Sequence, residues 1–86
     1  MRELINRVIE MESYYDRLHE AVKEKKSIEI YHTEIQALKL YLESGQWLED
    51  YESDERGELP LELKRGVLSE DGLYNLLVDV ENVLST

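Results

Sequence analysis

Residues 47–71 read WLEDYESDERGELPLELKRGVLSED and divide the chain into a helical first half and a closing helix. This segment contains the only Trp and the only Pro of the 86 residues. Gly57, followed three positions later by Pro60, marks the end of a helix, because glycine readily adopts the left-handed conformation and proline cannot continue a helix. The sequence therefore predicts an ordered, turn-rich connection over residues 57–68, with room for one helical turn.

Upstream of this segment, apolar residues recur in alternating steps of four and three, the spacing of one helix face. This spacing predicts a first helix over residues 2–24. Its stripe consists of Leu4, Val8, Met11, Tyr15, Leu18 and Val22. The pattern breaks at Lys25, and a second helix is predicted to follow the N-cap residue Ser27. The stripe of the second helix consists of Ile28, Tyr31, Ile35, Leu38 and Leu42.

Ser44 and Gly45 interrupt the second stripe, and helical spacing then resumes. Residues 46–55 are interpreted either as a kinked continuation of the second helix or as a separate short helix. Downstream, the spacing predicts a last helix over residues 70–84, with Ser69 as its N-cap and with Glu70 and Asp71 in its acidic first turn.

These elements predict an all-α fold for residues 1–86, as a single helical domain. The short link between the first two helices implies an antiparallel hairpin. A third main helix closes the core as in a three-helix bundle. The short kinked helix and the ordered loop lie between the second and third main helices.

The charge is strongly unbalanced, with twenty acidic residues against ten basic ones and a formal net charge of −10. Such a chain repels phosphate backbones and anionic membranes, so direct binding of either is disfavoured. The charge indicates solubility or an acidic surface that meets a basic partner. The absence of Cys excludes disulfides and thiolate chemistry and is typical of a reducing cytoplasm. An apolar signal-peptide core is also absent, so we expect a cytoplasmic protein without a membrane span.

Self-repulsion of this charge predicts a response to salt. Added salt screens the excess negative charge, so the melting temperature should rise between low and moderate ionic strength. Thermal unfolding followed by circular dichroism over a salt series measures this effect. A constant or falling melting temperature would contradict the prediction.

The central segment resembles that of a bacterial family of small acidic proteins, domain of unknown function family 4298. The similarity spans nearly the whole chain and is closest from Tyr41 through Leu77. The matching residues are Trp47, Asp50, Tyr51, Asp54, Gly57, Leu59, Pro60, Leu63, Lys64, Arg65, Gly66, Val67, Leu68, Ser69, Glu70 and Asp71. The resemblance implies a bacterial, cytosolic, stand-alone small protein, and it implies no activity, because the family has none assigned.

Two carboxylate-x-x-His segments have the spacing used by metal sites in helical bundles. The four candidate ligands are Asp16, His19, Glu29 and His32. Sites of that class need two further Glu residues from other helices, and this ligand set is incomplete. We therefore interpret the histidines as boundary residues and predict no metal and no cofactor.

No nucleophile and base pattern and no glycine-rich phosphate loop is recognisable, so we predict that the protein is not an enzyme.

The function predicted from sequence is a non-enzymatic protein-protein interaction module with an unidentified protein partner. Its candidate surface consists of Trp47, Asp50, Tyr51, Asp54, Lys64 and Arg65. Aromatic residues beside charges are typical of binding hot spots and equally of the rim of a small core. The guanidinium of Arg65 is expected to bind a carboxylate, either Asp50 or Asp54. The alternatives are an acidic mimic of nucleic acid, which would bind a basic DNA-binding protein, and a small-ligand or metal-binding protein. A homodimer is a further hypothesis, from the broad apolar faces of the first two helices.

Overall fold

The computed structural model describes residues 2–24, 27–69 and 71–85. Within these ranges every regular element is helical, which confirms the all-α prediction. The four α-helices are Arg2–Lys23 (α1), His32–Glu43 (α2), Gln46–Glu55 (α3) and Gly72–Ser85 (α4). Two short 3₁₀ helices, Ile28–Tyr31 and Gly66–Leu68, precede α2 and α4.

The core lies where α1 meets both α2 and α4. The 3₁₀ turn Gly66–Leu68 contacts α1, α3 and α4, so the connection between α3 and α4 packs onto the helices. Burial of apolar side chains at these contacts is the main favourable contribution to folding. The buried apolar residues are Val8, Leu18, Ala21, Ile28, Ile35, Leu38, Tyr41, Leu59, Val67, Leu68, Leu73, Leu76, Leu77 and Val80.

The ends of the first two helices follow the apolar pattern with one change. α1 ends at Lys23, and Lys25, where the pattern breaks, lies outside the described residues. The second helix does not begin as an α-helix directly after Ser27. The chain first forms the 3₁₀ helix Ile28–Tyr31, and the Ser27 side chain makes no capping hydrogen bond.

Residues 46–55 form α3, which is distinct from α2. Gly45, in the left-handed conformation with φ 92°, separates the two helices. At the other end of α3, Gly57 has φ 76°. Its N–H donates to Asp54 O at 3.0 Å, and the N–H of Glu58 donates to Ser53 O at 3.0 Å. This is the Schellman pattern of helix termination, so the predicted role of Gly57 is confirmed.

The start of the last helix differs from the prediction. α4 begins at Gly72, and the prediction that Ser69 is its N-cap is wrong. The Ser69 hydroxyl instead donates to Gly66 O at 2.8 Å, which closes the preceding 3₁₀ turn. Glu70, expected in the acidic first turn, lies outside the described residues. The loop over residues 57–68 contains its helical turn at Gly66–Leu68.

Candidate interaction surface and its buried support

A buried carboxylate joins three helices beneath the candidate surface. Asp50 of α3 is 0% exposed. Arg7 of α1 donates from Nε to Asp50 Oδ2 at 2.9 Å and from Nη2 to Oδ1 at 2.5 Å. The Tyr41 hydroxyl of α2 donates to Asp50 Oδ2 at 2.5 Å. The guanidinium and carboxylate thus form a two-pronged ion pair, which fixes orientation as well as distance.

The burial of Asp50 corrects one prediction from sequence. A fully buried carboxylate cannot contact a partner, so Asp50 is not a surface residue. Desolvation of a buried ion pair offsets much of its attraction, and apolar residues of similar size are often equally stabilising. Asp50 therefore contributes mainly to the placement of α3 against Arg7 and Tyr41, and less to net stability.

Burial, and then the hydrogen bond to Asp50, raise the pKa of the Tyr41 hydroxyl far above its usual value. In the unfolded chain, Tyr41 would lose its proton near pH 10, whereas the folded protein keeps it. The unfolded state then binds fewer protons, so stability should fall as the pH rises above about 10. Urea unfolding at a series of alkaline pH values should give a shallower decline for Tyr41→Phe than for the native chain. Equal slopes for the two proteins would contradict this assignment.

A second buried carboxylate holds the turn at residues 66–68. Glu12 of α1 is 6% exposed, and its Oε1 accepts a hydrogen bond from Val67 N at 2.7 Å. The indole Nε1 of Trp47 donates to Val67 O at 2.9 Å. Side chains from α1 and α3 thus satisfy both backbone polar groups of the fully buried Val67. These bonds remove the cost of burying an unpaired peptide group.

Gly66 allows this turn to approach α1 closely. A Cβ atom at position 66 would lie 3.3 Å from Glu12 Oε2 and 3.3 Å from a ring carbon of Tyr15. Both distances are tighter than ordinary van der Waals contact, so a side chain here would require the side chains of Glu12 and Tyr15 to shift by a few tenths of an ångström. Absence of a side chain is the property of glycine used at this position.

Arg65 holds the loop to α3. Its guanidinium donates to Asp54 and to the carbonyl oxygen of Pro60, and its Nε donates to Leu63 O at 3.3 Å. Asp54 is one of the two carboxylates nominated from sequence, so that hypothesis is confirmed. Nearby, Lys64 Nζ donates to Asp16 Oδ2 of α1 at 2.9 Å in an exposed ion pair.

The Arg65 contacts predict an asymmetric pair of substitutions. Arg65→Ala removes three hydrogen bonds and should destabilise the fold more than Asp54→Ala, which removes one. Because both side chains are partly exposed, their coupling energy should be only about 1 kcal/mol. Chemical denaturation of both single variants and the double variant measures this coupling. Strict additivity would show that the ion pair contributes nothing.

The aromatic part of the candidate surface lies on α3. The rings of Trp47 and Tyr51 stack with centroids 5.0 Å apart and an interplanar angle of 21°. Both side chains are half-buried, and the neighbouring Leu48 is 52% exposed. The exposed carboxylates of α3 are Glu49, Glu52 and Glu55.

The four metal candidates do not share one site. Asp16 is bound to Lys64, and the His19 ring lies against Tyr15 with centroids 5.9 Å apart. Glu29 and His32 are exposed near the start of α2. Among the residues that the structure describes, no three His, Asp or Glu side chains come together in a way that could hold a metal ion.

Sequence reasoning missed Arg7, Glu12 and Tyr41, which carry the buried contacts. A signal for Glu12 was present, since it lies one turn after Val8, on the apolar side of α1. Arg7 and Asp50 are 43 residues apart, and no local spacing connects them.

The chain belongs to the family described as domain of unknown function (DUF4298), whose match covers residues 3–86. This confirms the resemblance inferred from the central segment. Searches of curated proteins and of solved structures found no match. Within the described residues, no helix has the combination of length and apolar character that a bilayer crossing requires.

Proposed function

We propose that this chain is a non-enzymatic protein-protein interaction module of the bacterial cytoplasm. Its first two helices serve as an antiparallel hairpin that supports the 47–71 segment. The working surface consists of Trp47, Tyr51, Asp54, Lys64 and Arg65. Asp50 supports this surface from below.

The observation that carries the proposal is a pair of buried carboxylates, Asp50 within the 47–71 segment and Glu12 on α1, that hold the segment on the helices. Asp50 and Glu12 bind groups from other elements, at Arg7, Tyr41 and Val67. Satisfied buried polar networks favour one arrangement over its competitors, because any other arrangement leaves a charge unpaired. A loop with so specific a shape is suited to presenting a binding surface on a helical scaffold.

The chemistry of the surface suits a protein partner. A partly exposed stack of Trp47 and Tyr51, on the same helix as the Arg65 partner Asp54, has the composition of an interface hot spot. The exposed carboxylates of α3, the helix that carries the stack, favour a partner with a basic complementary surface, because complementary charge speeds association. The buried carboxylates of Asp50 and Glu12 are already hydrogen-bonded to groups of the fold. Because neither is available to react with a substrate, a binding role is favoured over catalysis.

A charge exchange tests the proposal. The native chain and an Asp54→Arg/Arg65→Asp variant are used as baits in a pull-down from bacterial lysate. The matched control is Arg17→Glu/Glu34→Arg, which reverses an ion pair with an N–O distance of 3.3 Å between α1 and α2. We expect a partner that the native bait and the control retain and the first variant loses. Equal retention by both variants would move the working surface elsewhere. Circular dichroism verifies that each bait is folded.

The second candidate is a nucleic-acid mimic, which the net charge of −10 favours. Such a mimic would bind a basic DNA-binding protein, and salt would weaken its binding steeply.

The remaining alternatives are a small-ligand or metal-binding protein, which a thermal-shift screen would detect, and a homodimer. Light scattering that gives a mass near the chain mass of 10.2 kDa at high concentration would exclude the homodimer.

A further inference from the structure

An apolar groove lies between α2 and α4, on residues that the proposed surface does not use. Its floor and walls include Leu42 of α2 and Tyr74, Leu77 and Val78 of α4. Its charged rim consists of Lys39, Glu43 and Glu81. Tyr74 is 62% exposed and Val78 is 39% exposed, although both are large apolar side chains. Contiguous exposed apolar surface with a polar rim is typical of an interaction site.

The groove follows the helix axes. Tyr74 and Val78 are four residues apart, so they lie one turn from each other on the same side of α4. Lys39 and Glu43 have the same spacing along α2. An apolar groove bounded by two helices is the site that accepts an amphipathic helix, through apolar residues spaced by three and four positions.

The charges of the rim decide which helix would fit. Glu43 is exposed, and the side chain of Glu81 is 68% exposed. Lys39 Nζ lies 3.8 Å from Glu81 Oε1, at the outer limit of an ion pair, so the rim remains net negative. A second copy of this chain would bring another ten negative charges to the contact, given the net charge of −10. A helix with basic flanks instead gains attraction from the same rim.

We propose that this groove binds the apolar face of an amphipathic helix from a partner protein, with Lys or Arg residues of that helix at Glu43 and Glu81. This second binding site shares no residue with the surface of the 47–71 segment. Its success or failure is therefore independent of the function proposed above.

The probe is a synthetic amphipathic helix of about 18 residues, long enough to be partly helical in water. It carries Leu at spacings of three and four and Lys on both flanks. A twin peptide has Glu in place of every Lys. Fluorescence anisotropy of the labelled peptides measures the dissociation constant for the native chain. We expect the Lys peptide to bind more tightly than the Glu twin by about tenfold or more.

Two matched pairs of variants locate the binding. Tyr74→Ser/Val78→Ser removes apolar groove surface, whereas Leu40→Ser/Leu61→Ser removes two exposed apolar side chains outside the groove. The first should weaken the Lys peptide about tenfold or more, and the second should change its affinity less than about twofold.

The second pair tests the rim. Glu43→Gln/Glu81→Gln should weaken binding more than Glu10→Gln/Glu29→Gln, which removes equal charge from exposed positions elsewhere. Equal losses within each pair would mean non-specific attraction to an acidic protein and would overturn the proposal. So would failure of the Lys peptide to bind at millimolar concentration, or a dimer of the native chain that is disrupted by Tyr74→Ser/Val78→Ser.

Discussion

Arg7→Met should lower the free energy of unfolding by about 3–5 kcal/mol, because it leaves the buried carboxylate of Asp50 without its cation. Methionine keeps much of the apolar stem of arginine, so the loss is mainly electrostatic. A native domain has only about 5–15 kcal/mol of stability in total, so this variant should be close to unfolding. Urea denaturation at neutral pH measures the change.

Two comparisons identify the cause. Arg17 lies on the same helix and pairs with Glu34 at the surface, with an N–O distance of 3.3 Å. Arg17→Met should therefore lower the free energy of unfolding by less than about 1 kcal/mol. Arg7→Met/Asp50→Asn should recover stability relative to Arg7→Met, because the amide has no charge and still accepts from Tyr41. A cost of Arg7→Met equal to that of Arg17→Met would contradict the network.

Glu12→Ala should have the second largest effect, a loss of about 1–3 kcal/mol. The substitution removes the acceptor that lies 2.7 Å from Val67 N, and it leaves a buried N–H without a partner. Glu12→Gln keeps an acceptor at this position and should retain part of the lost stability. Chemical denaturation of the two variants gives both values.

Glu10→Ala is the matched control for Glu12→Ala. Glu10 is exposed on the same helix, and its replacement should change stability by less than about 0.5 kcal/mol. The indole of Trp47, which donates to the Val67 carbonyl, is a local reporter of the same contact. Its fluorescence should shift in Glu12→Ala under native conditions and remain unchanged in Glu10→Ala. Equal stability of the Glu10 and Glu12 variants would show that the carboxylate does not hold the turn.

Local patterns of sequence predicted the features that depend on neighbouring residues. The apolar stripe located α1, and the glycine at position 57 located the end of α3, because both signals are set within one or two helical turns. The contact of Arg65 with Asp54 spans 11 residues and was also predicted from the sequence. The start of α4 was misplaced because Ser69 closes a 3₁₀ turn with Gly66 before the helix begins.

The apolar pattern does not predict which residues of α3 are buried, because a charged residue lies inside and an apolar residue lies outside. Leu48 is 52% exposed, while Asp50 is fully buried. A reading that places apolar residues inside and carboxylates outside assigns both to the wrong side. Arg7 of α1 and Tyr41 of α2 offset the cost of burying the Asp50 carboxylate. No spacing of residues within α3 indicates these two partners. The groove between α2 and α4 likewise depends on the packing of two helices that are distant in sequence.

The amide hydrogen exchange of Val67, measured by NMR under native conditions, tests most directly whether buried contacts hold the 47–71 segment on the helices. We expect protection close to that of the core amides, because exchange requires release of the amide from Glu12 and opening of the turn. Exchange at the rate of an unstructured peptide, while the helices remain protected, would contradict this expectation.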